Sequence, residues 1–152
     1  MQIQLETKYL VYEYIKWRLL SKKSTKILEF SIQKEFEESR LKKTYLNNLI
    51  RTLCEKFESK YKKSFQRPLC SEFCITLENL ENILNNVSSQ LFIQNIISWS
   101  RIIALFSLSG CLVESAYEKQ MKNCEFFVMN WLIEYLNKCE IVDWLESKGQ
   151  WV

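Results

Sequence analysis

The stretch LFIQNIISWSRIIALFSLSGCL, residues 91–112, decides the fold, because Arg101 is its only charged residue. From Trp99 onward the pattern predicts a helix that is apolar on almost every face, and such a helix belongs in the middle of a bundle. At about 1.5 Å of rise per residue, residues 99–112 span about 20 Å, which is shorter than the hydrocarbon core of a bilayer. The stretch therefore predicts a central bundle helix and not a membrane span.

Arg101 is predicted to lie in the first turn of this central helix, where the positive end of the helix dipole disfavours a cation. A buried charge that carries such a cost usually has a carboxylate partner. The residues alone leave two interpretations open. The partner is either a Glu or the single Asp of this chain, or it is a carboxylate that belongs to another molecule.

Length and composition favour one all-α domain that covers residues 1–152. A chain of 152 residues can bury one sizeable core, and two Gly and one Pro leave few turns between long elements. The net charge of +3 is too small to indicate a nucleic-acid partner. Lys and Arg are concentrated in residues 1–63, which favours a solvated face and leaves open an acidic partner or an anionic membrane surface.

The cysteines and the missing histidines argue against a secreted framework, a metal site and common enzyme chemistry. Six cysteines lie mostly at apolar helix positions, so we expect reduced core thiols in an intracellular protein. The sequence has no His and only one Asp, so common zinc sites and nucleophile–base pairs are not expected. No enzyme activity, metal or cofactor is therefore predicted.

Apolar residues at three- and four-residue spacing predict the remaining helices. Ser98 is expected to cap the central helix, Gly110 indicates close packing inside it, and Gly149 is expected to end the last helix. The predicted helices are residues 5–21, 44–65, 76–93, 122–137 and 141–147, with an extra helix at 25–39 and a short helical turn after Pro68.

Two motifs carry a resemblance to a known family. Residues 98–106, SWSRIIALF, resemble the first homology region of the Bcl-2 family of apoptosis regulators, whose pattern begins Asn-Trp-Gly-Arg. Ser98 replaces the Asn and Ser100 replaces the Gly. Residues 144–151, WLESKGQW, resemble the second region, Trp-Ile-x-x-x-Gly-Gly-Trp, with Gln150 in place of one Gly. The two motifs follow the order of the family, with one helix-sized segment between them.

Two further segments are similar to other homology regions of the family. Residues 10–21 are similar to the fourth region, which supports the fold, and residues 50–57 stand where the third region is expected. Cys54 occupies the Gly position of that third region, and Glu55 occupies its Asp position. A Cys side chain hinders close approach of another helix, so this segment suits a groove wall better than a ligand.

The resemblance implies a bundle of about seven or eight helices around a buried central hairpin, with a groove that accepts an amphipathic helix. Arg101 would then pair with an Asp of that helix. By spacing alone, aromatic residues of this kind favour the core, and only the motif register assigns them to a groove. The residues implied are Phe57, Tyr61 and Phe65 on one wall, Ser88 and Phe92 on the other, Leu108 on the floor, and Ser98 and Ser100 beside Arg101.

The function that the resemblance implies is an anti-apoptotic regulator that sequesters the death-promoting helices of pro-apoptotic Bcl-2 family proteins. The alternatives are a membrane-permeabilising effector of the same fold and an inhibitor of an immune-signalling adaptor. The expected location is the cytoplasm, with association to the mitochondrial outer membrane. The chain ends just after the second region, so we expect no carboxy-terminal anchor in it. Contact with a membrane surface, homodimerisation and a viral origin are left open.

Overall fold

A computed structural model describes residues 2–20, 40–60, 77–118 and 123–151. These residues form six α-helices and one turn of 3₁₀ helix at Ile93–Asn95, and none of them lies in a β-strand, which confirms the all-α prediction. The predicted helix at 25–39 and the turn after Pro68 lie outside the described residues. The helices are α1 (Gln2–Leu20), α2 (Arg40–Lys60), α3 (Leu77–Leu91), α4 (Trp99–Glu118), α5 (Cys124–Leu136) and α6 (Cys139–Ser147).

Helix α4 is the central helix of the bundle, as the sequence predicts. Every residue from Ile102 to Val113 is buried, and the helix contacts α1, α2, α3 and α5. It continues to Glu118, beyond the predicted end at residue 112, and Ser115 and Ala116 are buried in that extension. The bundle therefore surrounds α4 on most of its faces.

The first turn of α4 differs from the sequence prediction, because it lies at the surface. Ser98 caps the helix as predicted, and its Oγ accepts a hydrogen bond from the backbone N–H of Arg101 at 3.3 Å. Trp99 and Ser100 are exposed and Arg101 is only partly buried, so continuous burial begins at Ile102. Arg101 therefore lies in the first turn of α4 as predicted, but the prediction that it is a buried charge is wrong.

Helix α1 is a second buried helix, although its sequence pattern looks amphipathic. It packs against α2, α4, α5 and α6, so Glu13 and Arg18, which the pattern places on a polar face, are both buried. Gly110 marks a close approach of α4 to α1, as predicted. A Cβ atom on Gly110 would lie 2.8 Å from the Tyr14 hydroxyl and 2.9 Å from Arg18 Nε.

The carboxy-terminal end of α6 turns back at Gly149, as predicted. The N–H of Gln150 bonds to the carbonyl of Leu145 at 2.7 Å, and the N–H of Gly149 bonds to the carbonyl of Glu146 at 3.2 Å, which is the Schellman pattern. Gly149 has a φ of 86°, and Gln150, which replaces a family Gly, also has a positive φ of 69°. The turn brings Trp151 back to a buried position.

The described cysteines are free thiols with two kinds of surroundings. Cys54, Cys111 and Cys124 are buried, as predicted, whereas Cys139 is exposed at the start of α6. Burial raises the pKa of Cys54 to about 11 and that of Cys111 to about 12. Cys70 and Cys74 lie outside the described residues. No helix in the described part of the chain is long and apolar enough to cross a membrane.

Candidate functional site

The two homology motifs meet in space through their tryptophans. The ring of Trp99 lies 4.8 Å from that of Trp144 in an edge-to-face arrangement and 5.9 Å from that of Trp151. Trp151 also donates from Nε1 to the hydroxyl of Thr7 in α1 at 2.8 Å. The start of α4, the end of α6 and the chain segment after it therefore form one aromatic cluster.

An apolar groove runs between α2 and α4 beside this cluster. A first cavity of about 250 Å³ is followed by a second of about 360 Å³. Leu53, Trp99 and Ile103 line both cavities, so we treat them as one α2/α4 groove. Its first part is lined by Leu46, Leu49, Ile50, Leu53, Trp99, Ile102, Ile103 and Trp151, and its second part by Leu53, Lys56, Phe57, Lys60, Trp99, Ser100 and Ile103.

The α2/α4 groove combines exposed apolar side chains with a basic rim. Leu53 is 37 % exposed and Trp99 is 36 % exposed, which is costly for large apolar groups that could otherwise be buried. Lys56 and Lys60, one helical turn apart on α2, place positive charge at the second part of the groove. The groove therefore offers apolar contacts beside a positive edge.

Arg101 follows Ser100 of the groove directly in the chain. Its Nη1 atom donates a hydrogen bond of 2.8 Å to the backbone carbonyl of Ile96. Among the residues that the structure describes, no carboxylate forms an ion pair with Arg101. Among those residues, none supports the interpretation that Arg101 pairs with an acid of its own chain.

The predicted groove residues fall into several environments. Phe57 and Ser100 line the α2/α4 groove, while Ser98 caps α4. Leu108 is buried in the core of the bundle. Tyr61 and Phe65 lie outside the described residues.

The predicted opposite wall, Ser88 and Phe92, does not line the α2/α4 groove. The ring of Phe92 packs 5.6 Å from that of Tyr135 in α5, and both residues line a cavity of about 520 Å³. Ser88 is buried and donates to the carbonyl of Asn85 at 3.0 Å. The described residues thus divide the predicted site between two cavities, and the complete assignment stays a prediction.

The first part of the α2/α4 groove was not predicted from the sequence. Leu46 and Leu49 belong to it, although the segment assigned to the third homology region begins at residue 50. Their spacing to Leu53 and Phe57 continues the same helical stripe toward the amino terminus, so extending the periodicity would have found them. Trp151 could not be found in this way, because only the turn after α6 places it here.

A buried ionic cluster is the second feature that sequence reasoning missed. Arg18 of α1 is 7 % exposed. Its Nη1 lies 2.7 Å from Glu58 Oε2 in α2, and its Nε lies 2.6 Å from Glu114 Oε2 in α4. The same Nη1 donates to the Tyr14 hydroxyl at 3.1 Å, and Nη2 lies 3.5 Å from the Cys111 sulfur.

The partners of Arg18 keep it charged. Burial alone would lower the pKa of Arg18, but the hydrogen bond with Glu58 and the charge of Glu114 outweigh that effect and raise it above its ordinary value. Desolvation also raises the pKa of Tyr14, so its hydroxyl stays neutral. The cluster therefore joins α1, α2 and α4 through a permanent cation.

A helical fold with an apolar groove beside an arginine that pairs with no carboxylate of the described residues is typical of a receptor for an amphipathic helix. A model of apoptosis regulator proteins of the Bcl-2 family matches residues 50–151 of this chain. The chain therefore belongs to the Bcl-2 family. Regulators of this family are generally non-enzymatic. The resemblance of residues 10–21 to the fourth homology region lies outside the matched residues and stays a prediction.

Individual relatives agree with the family match. The chain is 28 % identical over 102 residues to Bcl-2-like protein 1 of Homo sapiens and of Rattus norvegicus, which covers 67 % of this chain and 42 % of each relative. It is also 28 % identical over 97 residues to apoptosis regulator R11 of Xenopus laevis, covering 64 % of this chain and 46 % of that protein. The match thus spans less than half the length of these curated relatives.

Proposed function

We propose that this chain is an anti-apoptotic regulator that binds an amphipathic death-promoting helix of a pro-apoptotic Bcl-2 family protein in the α2/α4 groove. The observation that carries the proposal is an exposed apolar groove next to an arginine with no acid partner among the described residues. In helix-in-groove binding, apolar anchors supply affinity, and a charge pair beside them fixes the register of the bound helix.

Arg101 supplies the directional contact of this complex. Nη1 of Arg101 donates to the Ile96 carbonyl, and no described residue accepts a hydrogen bond from Nε or Nη2. A carboxylate of the incoming helix can therefore form a charge-assisted pair with the remaining donors. Ligand binding removes water from the partly exposed guanidinium, which strengthens the pair relative to a surface ion pair.

The environment of Cys54 supports a receptor role over a ligand role for α2. Cys54 takes the Gly position of the third homology region, is completely buried, and lies with its sulfur 3.8 Å from the Ile103 carbonyl. A helix that docks into another groove would have to expose this face. Helix α2 is therefore proposed as a groove wall of an anti-apoptotic protein and not as the helix of a membrane-permeabilising effector.

The location and partners of the protein follow from this role. A sequestering protein meets its death-promoting partners inside the cell, in the cytoplasm or at the mitochondrial outer membrane. The proposed partners are amphipathic helices with an Asp in register with Arg101. Specificity among them depends on Ser100, which places a hydroxymethyl group where the family has Gly.

Calorimetry with a panel of synthetic amphipathic helices tests the proposal. We expect binding by wild-type protein, and a loss of about 2–5 kcal/mol on Arg101→Ala because the ligand carboxylate then lacks its partner. Lys138→Ala is the matched control, since this exposed cation lines the cavity of Phe92 instead. Loss of binding in the control with no loss in Arg101→Ala would move the ligand to that cavity and contradict the assignment.

Dye release from liposomes separates the regulator from the effector. A sequestering protein leaves vesicles intact. It also suppresses dye release by an added effector, in proportion to the concentration of protein whose groove is unoccupied. Release by this chain alone would instead support the membrane-permeabilising alternative.

A further inference from the structure

The face of α2 that packs into the bundle carries a stripe of polar side chains. Asn47 donates to the Tyr9 hydroxyl at 3.1 Å, and Arg51 lies 5.5 Å from the centre of the Trp17 ring. Cys54 and Glu58 continue the stripe toward Ile103 and Arg18. These four positions follow helical spacing, so they share one face of α2.

This polar face is distinct from the groove face of the same helix. None of the four stripe residues lines either cavity of the α2/α4 groove, whose walls take Leu53, Phe57 and their neighbours from α2. Because each residue of a helix turns about 100° from the last, the two faces are rigidly related. Any rotation of α2 about its axis would move both faces together.

The Arg18 contact is the most directional element of the stripe. Two short ion pairs hold a planar guanidinium between α2 and α4, and such charge-assisted contacts weaken quickly when their geometry changes. An apolar contact at this place would give similar or greater stability with less preference for one orientation. A buried polar contact is thus suited to setting the register of a helix.

We propose that Arg18 is a positioning residue that, through Glu58, fixes the rotation of α2 and so presents Leu53 and Phe57 to the bound helix. This inference rests on the proposed function of the α2/α4 groove. The ion pair with Glu58 is the contact through which Arg18 reaches α2. Its pair with Glu114 fastens α1 to α4 and leaves the rotation of α2 unchanged.

Glu58→Gln and Glu114→Gln form a matched pair of variants for the test. Each removes one carboxylate charge from the same guanidinium, and the two side chains are 21 % and 25 % exposed. We expect similar losses of melting temperature in both. Glu58→Gln is expected to weaken helix binding by about tenfold, and Glu114→Gln by no more than about twofold.

Hydrogen exchange of the unliganded protein provides a readout that does not depend on any ligand. Glu58→Gln is expected to speed exchange of the amides in residues 53–60 more than Glu114→Gln does. Equal exchange and equal binding losses in the two variants would reduce Arg18 to a stability element and overturn the inference. If wild-type protein binds no helix, the proposed function fails, while the exchange comparison still decides the positioning role.

A milder variant covers the case in which a Gln variant does not fold. Arg18→Lys keeps a positive charge between both carboxylates and loses the planar fork. We expect a folded protein whose residues 53–60 exchange faster while α4 is unchanged. Unchanged exchange in α2 would overturn the positioning role.

Discussion

Arg18 and Arg101 have opposite relations to their helices. Arg18 lies in the last turn of α1, where the helix dipole favours a cation, and Arg101 lies in the first turn of α4, where it does not. Arg18 is buried with two carboxylates, while Arg101 is partly exposed and bonded to one backbone carbonyl. The cation in the unfavourable place is thus the one without an acid among the described residues.

The effect of a cation on the protein depends on its position in the helix and on its burial together. A buried cation must be paired by the fold, so Arg18 belongs to the structure of the free protein. At the surface, hydration offsets the unfavourable helix dipole for a cation at a helix start. A carboxylate of a bound ligand then stabilises this cation further. We therefore expect the loss of Arg18 to lower the stability of the free protein, and the loss of Arg101 to lower ligand binding without lowering that stability.

Removal of Arg18 is expected to have the largest effect on stability. Arg18→Met leaves Glu58 and Glu114 without their cation inside the bundle. We expect the free energy of unfolding to fall by about 3 kcal/mol, the lower end of the usual range, because both carboxylates keep partial contact with water. Urea unfolding followed by circular dichroism measures this change.

Arg101→Ala in the same urea experiment is the control. It should change the unfolding free energy by less than about 0.5 kcal/mol, as surface substitutions usually do. Equal losses in the two variants would remove the distinction between the two arginines.

The sequence predicted what depends on local chemistry. The cap at Ser98, the stop at Gly149 and the apolar run after Trp99 are properties of neighbouring residues, and all three are confirmed. Arg18 could not be placed, because its partners lie 40 and 96 positions away in the chain. From the sequence, a charged residue between apolar ones is predicted to be solvent-exposed. Only the packing of α2 and α4 against α1 shows that Arg18 is buried.

Less of the candidate site than of the fold could be predicted from the sequence. Motif register placed Phe57 and Ser100 beside the α2/α4 groove and Arg101 next to it in the chain. It could not show that Phe92 packs on Tyr135, because Tyr135 belongs to another helix and the two residues meet only in the packed bundle. Sequence patterns give the face of a helix but not which of two neighbouring cavities that face meets.

Gly110→Ala is expected to have an intermediate effect on stability. The added Cβ would lie 2.8 Å from the Tyr14 hydroxyl and 2.9 Å from Arg18 Nε, so the ionic cluster must shift. We expect a net loss of about 1–2 kcal/mol, although Ala favours a helix by about 1 kcal/mol over Gly. Urea unfolding measures the loss. In a protein that already carries Arg18→Ala, the loss caused by Gly110→Ala should be smaller. An unreduced loss would mean that Gly110 is needed for another reason.

Thiol modification provides the smallest and most local comparison of buried and exposed regions. Cys139 is exposed, while Cys111 is buried beside Arg18 and burial raises the pKa of its thiol to about 12. Because the thiolate is the reactive form, iodoacetamide near neutral pH should modify Cys139 long before Cys111. Peptide mass mapping measures both rates in one sample. Equal rates would indicate that the Arg18 cluster opens readily to solvent.

A double-mutant cycle between Arg101 and the Asp of a bound helix tests the central claim most directly. Calorimetry of four combinations, with Arg101→Ala in the protein and Asp→Ala in the peptide, gives the coupling free energy of this one pair. We predict a coupling of about 1.5 kcal/mol or more, as expected for a close charge pair that loses water on binding. A coupling near zero, with the wild-type helix still bound, would show that Arg101 does not receive the ligand carboxylate.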